Sequence, residues 1–384
     1  MLPSGVEADF SLLDGLKFAC LDGCGYCCLF QPDLNNDEVA RLNKIGLSWA
    51  VTESRFSGSS AVKMQGNGGA CVFLKGGRCT IYSDRPHFCR EFPFHIYLGE
   101  RLQVIPNLSC RGLWSDFSDR KYLMPVQSAY DAALPFVEEI GADMLFGPKE
   151  TFERFHRELD KQGKGCPKPL LREIAEAVKE LLTDYRGIAS VLEFSWEYSG
   201  EPLAAEEIAY KIKGWTPETD LKEEAMLGVQ DSLGLENPAD LPVYVDERLD
   251  WHLFQVSGNR IIHRKMTEKG PGRVLSSIAL ESVPLPELDG EAKSLLLDYI
   301  DILLKRDSFY GYVAYLVSEG GFKDSLLNAY LGTLVTSVLD LLWRASMLHR
   351  FEGGGKKIGR RELMNGIVFY DGEILDAPAL GEFV

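Results

Sequence analysis

Eight of the nine cysteines fall between positions 20 and 110, and the ninth, Cys166, stands alone. No other feature constrains the folding of this chain so tightly. Cys20, Cys24, Cys27 and Cys28 lie within Phe18-Ala-Cys-Leu-Asp-Gly-Cys-Gly-Tyr-Cys-Cys28, and Cys71, Cys79, Cys89 and Cys110 follow. A disulfide scaffold of this density is normally short and secreted. This chain has 384 residues, and its start, Met1-Leu-Pro-Ser-Gly-Val-Glu-Ala-Asp9, lacks the basic and apolar regions of a signal peptide. The expected location is therefore the cytoplasm, where crowded thiols are better explained as metal ligands than as disulfides.

Two thiolates separated by two residues can converge on one metal, because the tight turn between them aims both side chains inward. Cys24-Gly-Tyr-Cys27 has this spacing, and Gly23 and Gly25 loosen the backbone around it. Cys71 and Cys79 bracket a hairpin signal, Lys75-Gly-Gly-Arg78, which would bring them together across two strands. Cys89 follows a turn begun by Pro86, and Cys110 ends the segment after a second hairpin signal at Gly99-Glu100. This second set converges only when the chain folds. The first is local. Cys166 lies in Lys-Gln-Gly-Lys-Gly-Cys-Pro, a loop signal, and reads as a bystander.

Soft thiolates suit zinc, copper(I) and iron–sulfur clusters alike. Eight cysteines with no histidine at zinc-finger spacing favour iron–sulfur, with one [4Fe–4S] cluster expected and zinc as the alternative. In an extended chain the adjacent Cys27 and Cys28 would point apart and serve different partners. Arg85 and Arg90 are weighed equally as donors to cluster sulfurs and as partners of Asp84 and Glu91. His87 and His95 are left outside the site. Cys20-x3-Cys24-x2-Cys27 matches the radical-SAM spacing, but Cys28 and the lack of a repeating βα pattern argue against that barrel.

The order Cys24-Gly-Tyr-Cys-Cys28, Cys71-Val-Phe-Leu, Cys79-Thr-Ile-Tyr, Arg85-Pro86, Cys89-Arg-Glu-Phe-Pro93 and Cys110 resembles the YkgJ-type cysteine-cluster family. That family is described as a zinc- or iron-chelating domain with a CxxCxxCC signature, and its relatives are often labelled Fe–S oxidoreductases. The resemblance spans about residues 17–115. It departs at Cys20, which is separated from Cys24 by three residues rather than two. A similar cysteine domain is associated with flagellin lysine N-methylase.

The expected architecture is α+β: a cysteine-cluster domain of loops and hairpins over residues 1–115, then a mainly helical domain over 116–384. With little core available in the first part, a metal is expected to organise it. Apolar spacing predicts helices over residues 126–140, 151–161, 169–185, 202–213, 221–233, 291–305 and 324–348. A β meander is expected near 243–264, and a closing hairpin is expected around Asp371-Gly372. Asn35 and Asn36 are capping candidates for a helix at 37–42. The apolar run 326–343 carries Asn328, Gly332 and Asp340 and reads as a buried helix rather than a membrane span. Asp340 finds an i, i+4 partner in Arg344. Gln65-Gly-Asn-Gly-Gly-Ala70 lacks the Lys-Ser/Thr ending of a phosphate loop and reads as a flexible connector. Lys356, Lys357, Arg360 and Arg361 read as a solvated patch.

The net charge of −16 opposes general binding to nucleic acid or anionic membranes. No Ser/His/Asp order, HExxH or Rossmann fingerprint is evident. The first functional reading is therefore a redox, electron-transfer or partner-binding module whose partner is a protein. A metal-dependent enzyme of protein modification, such as methyl transfer, ranks second. A structural zinc interaction protein ranks third.

Overall fold

The computed structural model describes residues 8–54, 58–114, 121–140, 146–200, 203–234 and 241–383. The fold is α+β. In the first region, β1 (Ala8–Asp9), β2 (Phe94–Leu98), β3 (Leu102–Pro106) and β8 (Glu382–Phe383) form one sheet in the order β1-β3-β2-β8. β2 and β3 are the hairpin that Gly99-Glu100 signalled, with Leu98 paired to Leu102. The chain's last strand completes the sheet antiparallel to β2. α1 (Asn36–Lys44) starts on a reciprocal capping box between Asn35 and Glu38. α2 (His87–Glu91) carries Cys89. α3 (Ala129–Glu138) lays Ala129, Ala132, Ala133 and Val137 against Phe94, Ile96 and Val104, so this core holds residues from both sides of position 115.

The meander is longer than the sequence suggested. Its strands are β4 (Val243–Val245), β5 (Trp251–Ser257), β6 (Arg260–Thr267) and β7 (Gly270–Ala279), in simple antiparallel order. The β5–β6 turn pairs Ser257 with Arg260, and Gly258 supplies a positive φ there. Alternation gives the sheet two apolar faces. Val245, Trp251, Leu253 and Met266 pack towards the cysteine segment, while Tyr244, Phe254 and Ile261 join the helical core.

The helices of the second region are α4 (Phe146–Lys161), α5 (Lys168–Val178), α6 (Tyr185–Glu197), α7 (Ala205–Lys213), α8 (Leu221–Leu233), α9 (Gly290–Lys305), α10 (Asp307–Ser318), α11 (Leu326–Phe351) and α12 (Arg360–Asp376). Asp184, Asp220, Asp289 and Ser325 cap α6, α8, α9 and α11 through bonds to backbone N–H groups. The stretch expected as a helix over 169–185 narrows to a 3-10 turn at Lys179–Thr183, after which Asp184 starts α6 afresh. Pro202, the expected start of another helix, lies outside the described residues. α11 has the length and apolar character of a membrane span, but it is mostly buried, with α6, α8, α10 and α12 packed around it. Arg344 is wholly buried on α11, bonding Asp340 at 2.8 Å as the i, i+4 spacing implied and Glu373 of α12 as well.

The expected hairpin at Asp371-Gly372 is instead the interior of α12. Asp371 faces the core, where Arg306 meets its carboxylate with both terminal nitrogens at 2.7 and 2.9 Å. Tyr299 Oη donates to the same group at 2.8 Å and the Leu108 N–H at 2.6 Å. Gly372 brings the helix backbone against Ser109, whose Oγ accepts from the Gly372 N–H at 2.7 Å. The turn signal is genuine as local propensity; burial of the carboxylate overrides it.

Two tests follow from this centre. Asp371→Asn removes the counter-charge of a guanidinium that has no access to water, and the loss in unfolding free energy is expected to be about 3–5 kcal/mol, read from urea midpoints. His95, which accepts from Asn107 Nδ2 at 3.1 Å, is pushed down to about 4 by burial and then by the charge of Arg306. The folded chain refuses a proton that the unfolded chain accepts, so its contribution is full above about pH 6.5 and is lost as pH falls towards 4. The stability difference between the wild type and His95→Gln is expected to shrink across that window.

Candidate metal centre

Gly25, in the left-handed region at φ 59°, turns the chain into a short 3-10 helix over Tyr26–Leu29. A side chain at Gly25 would meet Leu74 and Trp251 at 3.0 Å. Only glycine fits both the turn and the approach. Cys27 and Cys28 therefore sit on helical backbone, not the extended chain that would point them apart, and the Cys28 thiol hydrogen-bonds the Cys27 sulfur. That bond is the main influence holding Cys27 below the ordinary thiol range. Cys28, the donor of the pair, is pushed up.

Leu74–Lys75 and Arg78–Cys79 form the expected hairpin, turning on Gly76 and Gly77, both at positive φ. The Cys71 N–H donates to the Cys28 carbonyl at 2.7 Å, stitching the hairpin's base to the first cysteine set. Cys89 comes from α2, and Cys110 from the turn after β3.

All eight thiols gather around two adjoining cavities. A narrow one of about 40 Å3 is lined by Cys20, Cys27, Cys28, Cys71, Cys79 and Cys89. A larger one of about 300 Å3 is lined by Cys20, Cys24, Cys27, Cys89 and Cys110, with Phe18, Phe92, Phe94, Met124 and Phe136 supplying apolar wall. Cys27 borders both and lies at the electrostatic centre, because a charge on its sulfur is felt by each of the other seven. Cys166 is buried in the helical core, where burial alone affects it.

Burial is the largest effect on most of these thiols. It takes Cys20 and Cys71 up to about 11 and Cys24 up to about 12, with Cys89 and Cys110 also raised. Buried thiols without a cation thus keep their protons, and a bound cation would displace them. All nine cysteines are free. Among the described residues, no group of three or more His, Cys, Asp or Glu side chains stands at ligating spacing. The thiols line the cavities without closing on a point. The donor set itself, soft sulfur in an apolar enclosure, suits a thiophilic metal.

The two arginines separate. Arg85 borders both cavities, stacks over Tyr82 at 3.6 Å and favours the charged form of Cys27. Arg90 borders the larger cavity and pairs at 3.3 Å with Glu139, not with Asp84 or Glu91. His87 pairs with Glu139 as well. Phe88 is exposed, whereas Phe92 and Phe94 line the larger cavity.

Several supporting residues escaped the sequence reading. Trp251 Nε1 donates to the Cys24 carbonyl at 2.8 Å from 227 positions away. Arg111, buried beside Cys110, donates to the Val245 carbonyl, Tyr244 Oη and Asn365 Oδ1 at 2.8–3.0 Å. Gln65–Ala70 is not a loose connector. The Ala70 N–H donates to the Glu268 carbonyl at 2.8 Å, and a side chain at Gly69 would come within 2.6 Å of that oxygen. Glu268 sits in the β6–β7 turn and also accepts from the Gly77 N–H at 2.9 Å. Only the Gly-Gly pairs hinted that another backbone must approach so closely.

Residues 19–111 match the model of the CxxCxxCC family, whose description reads "Putative zinc- or iron-chelating domain". By that match the cysteine segment is similar to a zinc- or iron-chelating domain, which supports metal binding there. No curated protein and no solved structure matches the chain. Cys27→Ala, at the hub, is expected to lower the bound metal of anaerobically purified protein. Cys166→Ala is expected to leave it unchanged. Elemental analysis checks both.

Proposed function

We propose that this chain is an iron–sulfur protein of the cytoplasm, in which thiols drawn from Cys20, Cys24, Cys27, Cys28, Cys71, Cys79, Cys89 and Cys110 hold a [4Fe–4S] cluster. The observation that carries this reading is the gathering of eight thiols, without a histidine, along the walls of two adjoining cavities. Four thiolates satisfy such a cluster, so a second set is left for another metal or for redox exchange. When bound, the cluster would supply one-electron transfer. The chain's own residues hold that site dry: Phe92, Phe94 and Phe136 exclude water, while Arg85 favours charge on the sulfurs. The helical region then serves as the platform for a protein partner.

A metal-dependent enzyme of protein modification is the second reading. It is favoured by the 300 Å3 cavity, which leaves room for a substrate group beside the thiols. Methyl transfer is the form suggested by the family resemblance.

Anaerobic purification is expected to yield brown protein with visible charge-transfer absorbance, iron and acid-labile sulfide. Stoichiometric zinc without that absorbance would replace the cluster by a structural zinc site. A reversible redox transition without small-molecule turnover supports the electron-transfer role. For the methyl-transfer form, calorimetry with S-adenosylmethionine decides, and absence of binding removes it.

A further inference from the structure

A row of polar side chains crosses the meander on the face turned towards the helices. Asp246, in the turn after β4, places Oδ2 3.3 Å from Nε2 of His252 on β5. His252 Nδ1 lies 2.9 Å from Nε2 of His263 on β6, and His263 Nδ1 lies 3.3 Å from Oγ of Ser276 on β7. The strand register sets His263 directly opposite Ser276. Phe254 stacks on His263 at 4.6 Å, and Phe351 of α11 packs edge-on at 5.3 Å. Ser276 itself is exposed.

The protons in this row are fixed by its far end. Burial opposes the charge on Asp246, but His252 and the backbone N–H groups of Arg248 and Asp250 hold its carboxyl below the usual range. A carboxylate only accepts, so His252 carries its proton on Nε2 and leaves Nδ1 as an acceptor. His263 must then donate from Nε2, and its Nδ1 becomes the acceptor for the Ser276 hydroxyl. Every bond in the row points the same way, from hydroxyl to carboxylate. Burial, followed by the charge of Lys265, pushes His263 down to about 4, which keeps that Nδ1 lone pair free at neutral pH.

We propose that Ser276 is a nucleophile for acyl transfer from activated esters, with His263 as its general base and His252 and Asp246 as positioning residues. In the first step the Oγ–H proton passes to His263 Nδ1 as Oγ bonds to the acyl carbon. The ester C–O bond breaks, and its electron pair leaves with the alkoxide or phenoxide, which the His263 proton can neutralise. In the second step water attacks the acyl-serine and gives its proton to the same nitrogen. The acyl–Oγ bond breaks with its electron pair on Oγ, which takes back the proton from His263 Nδ1, and a carboxylic acid is released. The imidazolium formed in each step is stabilised through His252 by the Asp246 charge, in a setting made less polar by Phe254 and Phe351. This site shares no residue with the thiol cavities.

Incubation of the full-length protein with p-nitrophenyl acetate, followed by peptide mapping, is expected to find the acetyl group on Ser276. Ser276→Ala, an exposed change, abolishes it. Asp246→Asn can still accept from the Arg248 and Asp250 N–H groups, but its amide would face His252 Nε2 as a donor. That inverts the row, and His263 then turns an N–H towards the serine. In Asp246→Asn and in His263→Gln the acylation rate is expected to fall roughly a hundredfold or more. Matching circular dichroism spectra separate this loss from unfolding, which a purely structural ladder would instead produce. An unmodified Ser276, or a Ser276 acylated at an unchanged rate in either folded variant, overturns the proposal.

Discussion

The Arg306–Asp371 pair is wholly withdrawn from water, and the placement of Cys110 depends on it. Neither charge could be buried alone, because desolvation would exceed what the surroundings return. Together, with Tyr299 and the Leu108 N–H completing the carboxylate's bonds, they tie α12 to the chain just beyond β3. Arg306 also donates to the Pro106 carbonyl at 3.0 Å. Three residues after Pro106, Ser109 accepts from the Gly372 N–H, and two residues after that Arg111 reaches β4 and α12. The segment 106–111 is thereby fixed on both sides of a cysteine that borders the larger cavity. A helix more than 250 residues downstream sets the geometry of a site that the sequence places near the start.

The same pattern explains why so sparse an opening segment is ordered. On its own it has short strands and small apolar clusters, such as Leu34, Leu42, Val62 and Phe73 around α1. That shortage made a metal look like the sole organiser. The meander supplies another support. Trp251 and Leu253 cover the Tyr26–Leu74 cluster, and the β6–β7 turn presses Glu268 against two glycine pairs. Packing can therefore hold the eight cysteine sulfurs around the cavities, and the seven besides Cys27, whose thiols are pushed up, keep their protons until a cation displaces them. Bound metal then adds to a preformed enclosure rather than creating one.

What could be read in advance was what is local. The cysteine set, the Gly76-Gly77 and Gly99-Glu100 hairpins, the Asn35 cap and the span of α8 are each encoded within a few residues, by spacing, capping or turn chemistry. What escaped was what depends on distant burial. Asp371-Gly372 carries a strong turn signal, and only the guanidinium of Arg306 makes a helix interior the better place for that aspartate. Arg90 chose Glu139 over its neighbours in sequence because α3 packs across α2. Trp251 had no local signal at all, since its partner is a backbone carbonyl beside Cys24.

The meander is the element that makes both sites possible, and strand alternation divides its work. Trp251 and His252 are consecutive, yet their side chains leave opposite faces of β5. The odd positions Trp251 and Leu253 close over the cysteine segment, whereas the even positions His252 and Phe254 face the helices. A one-residue slip of register would exchange the two sets, exposing the thiol cavity and dissolving the histidine row at once. The sheet is protected from such slippage by anchors at both ends. Gly258-Asn259 fixes the β5–β6 turn, and the Glu268 turn is clamped by the Ala70 N–H donating to the Glu268 carbonyl and the Gly77 N–H donating to its carboxylate. The glycine pairs of the cysteine segment thus hold the histidine row in register, although they touch none of its residues.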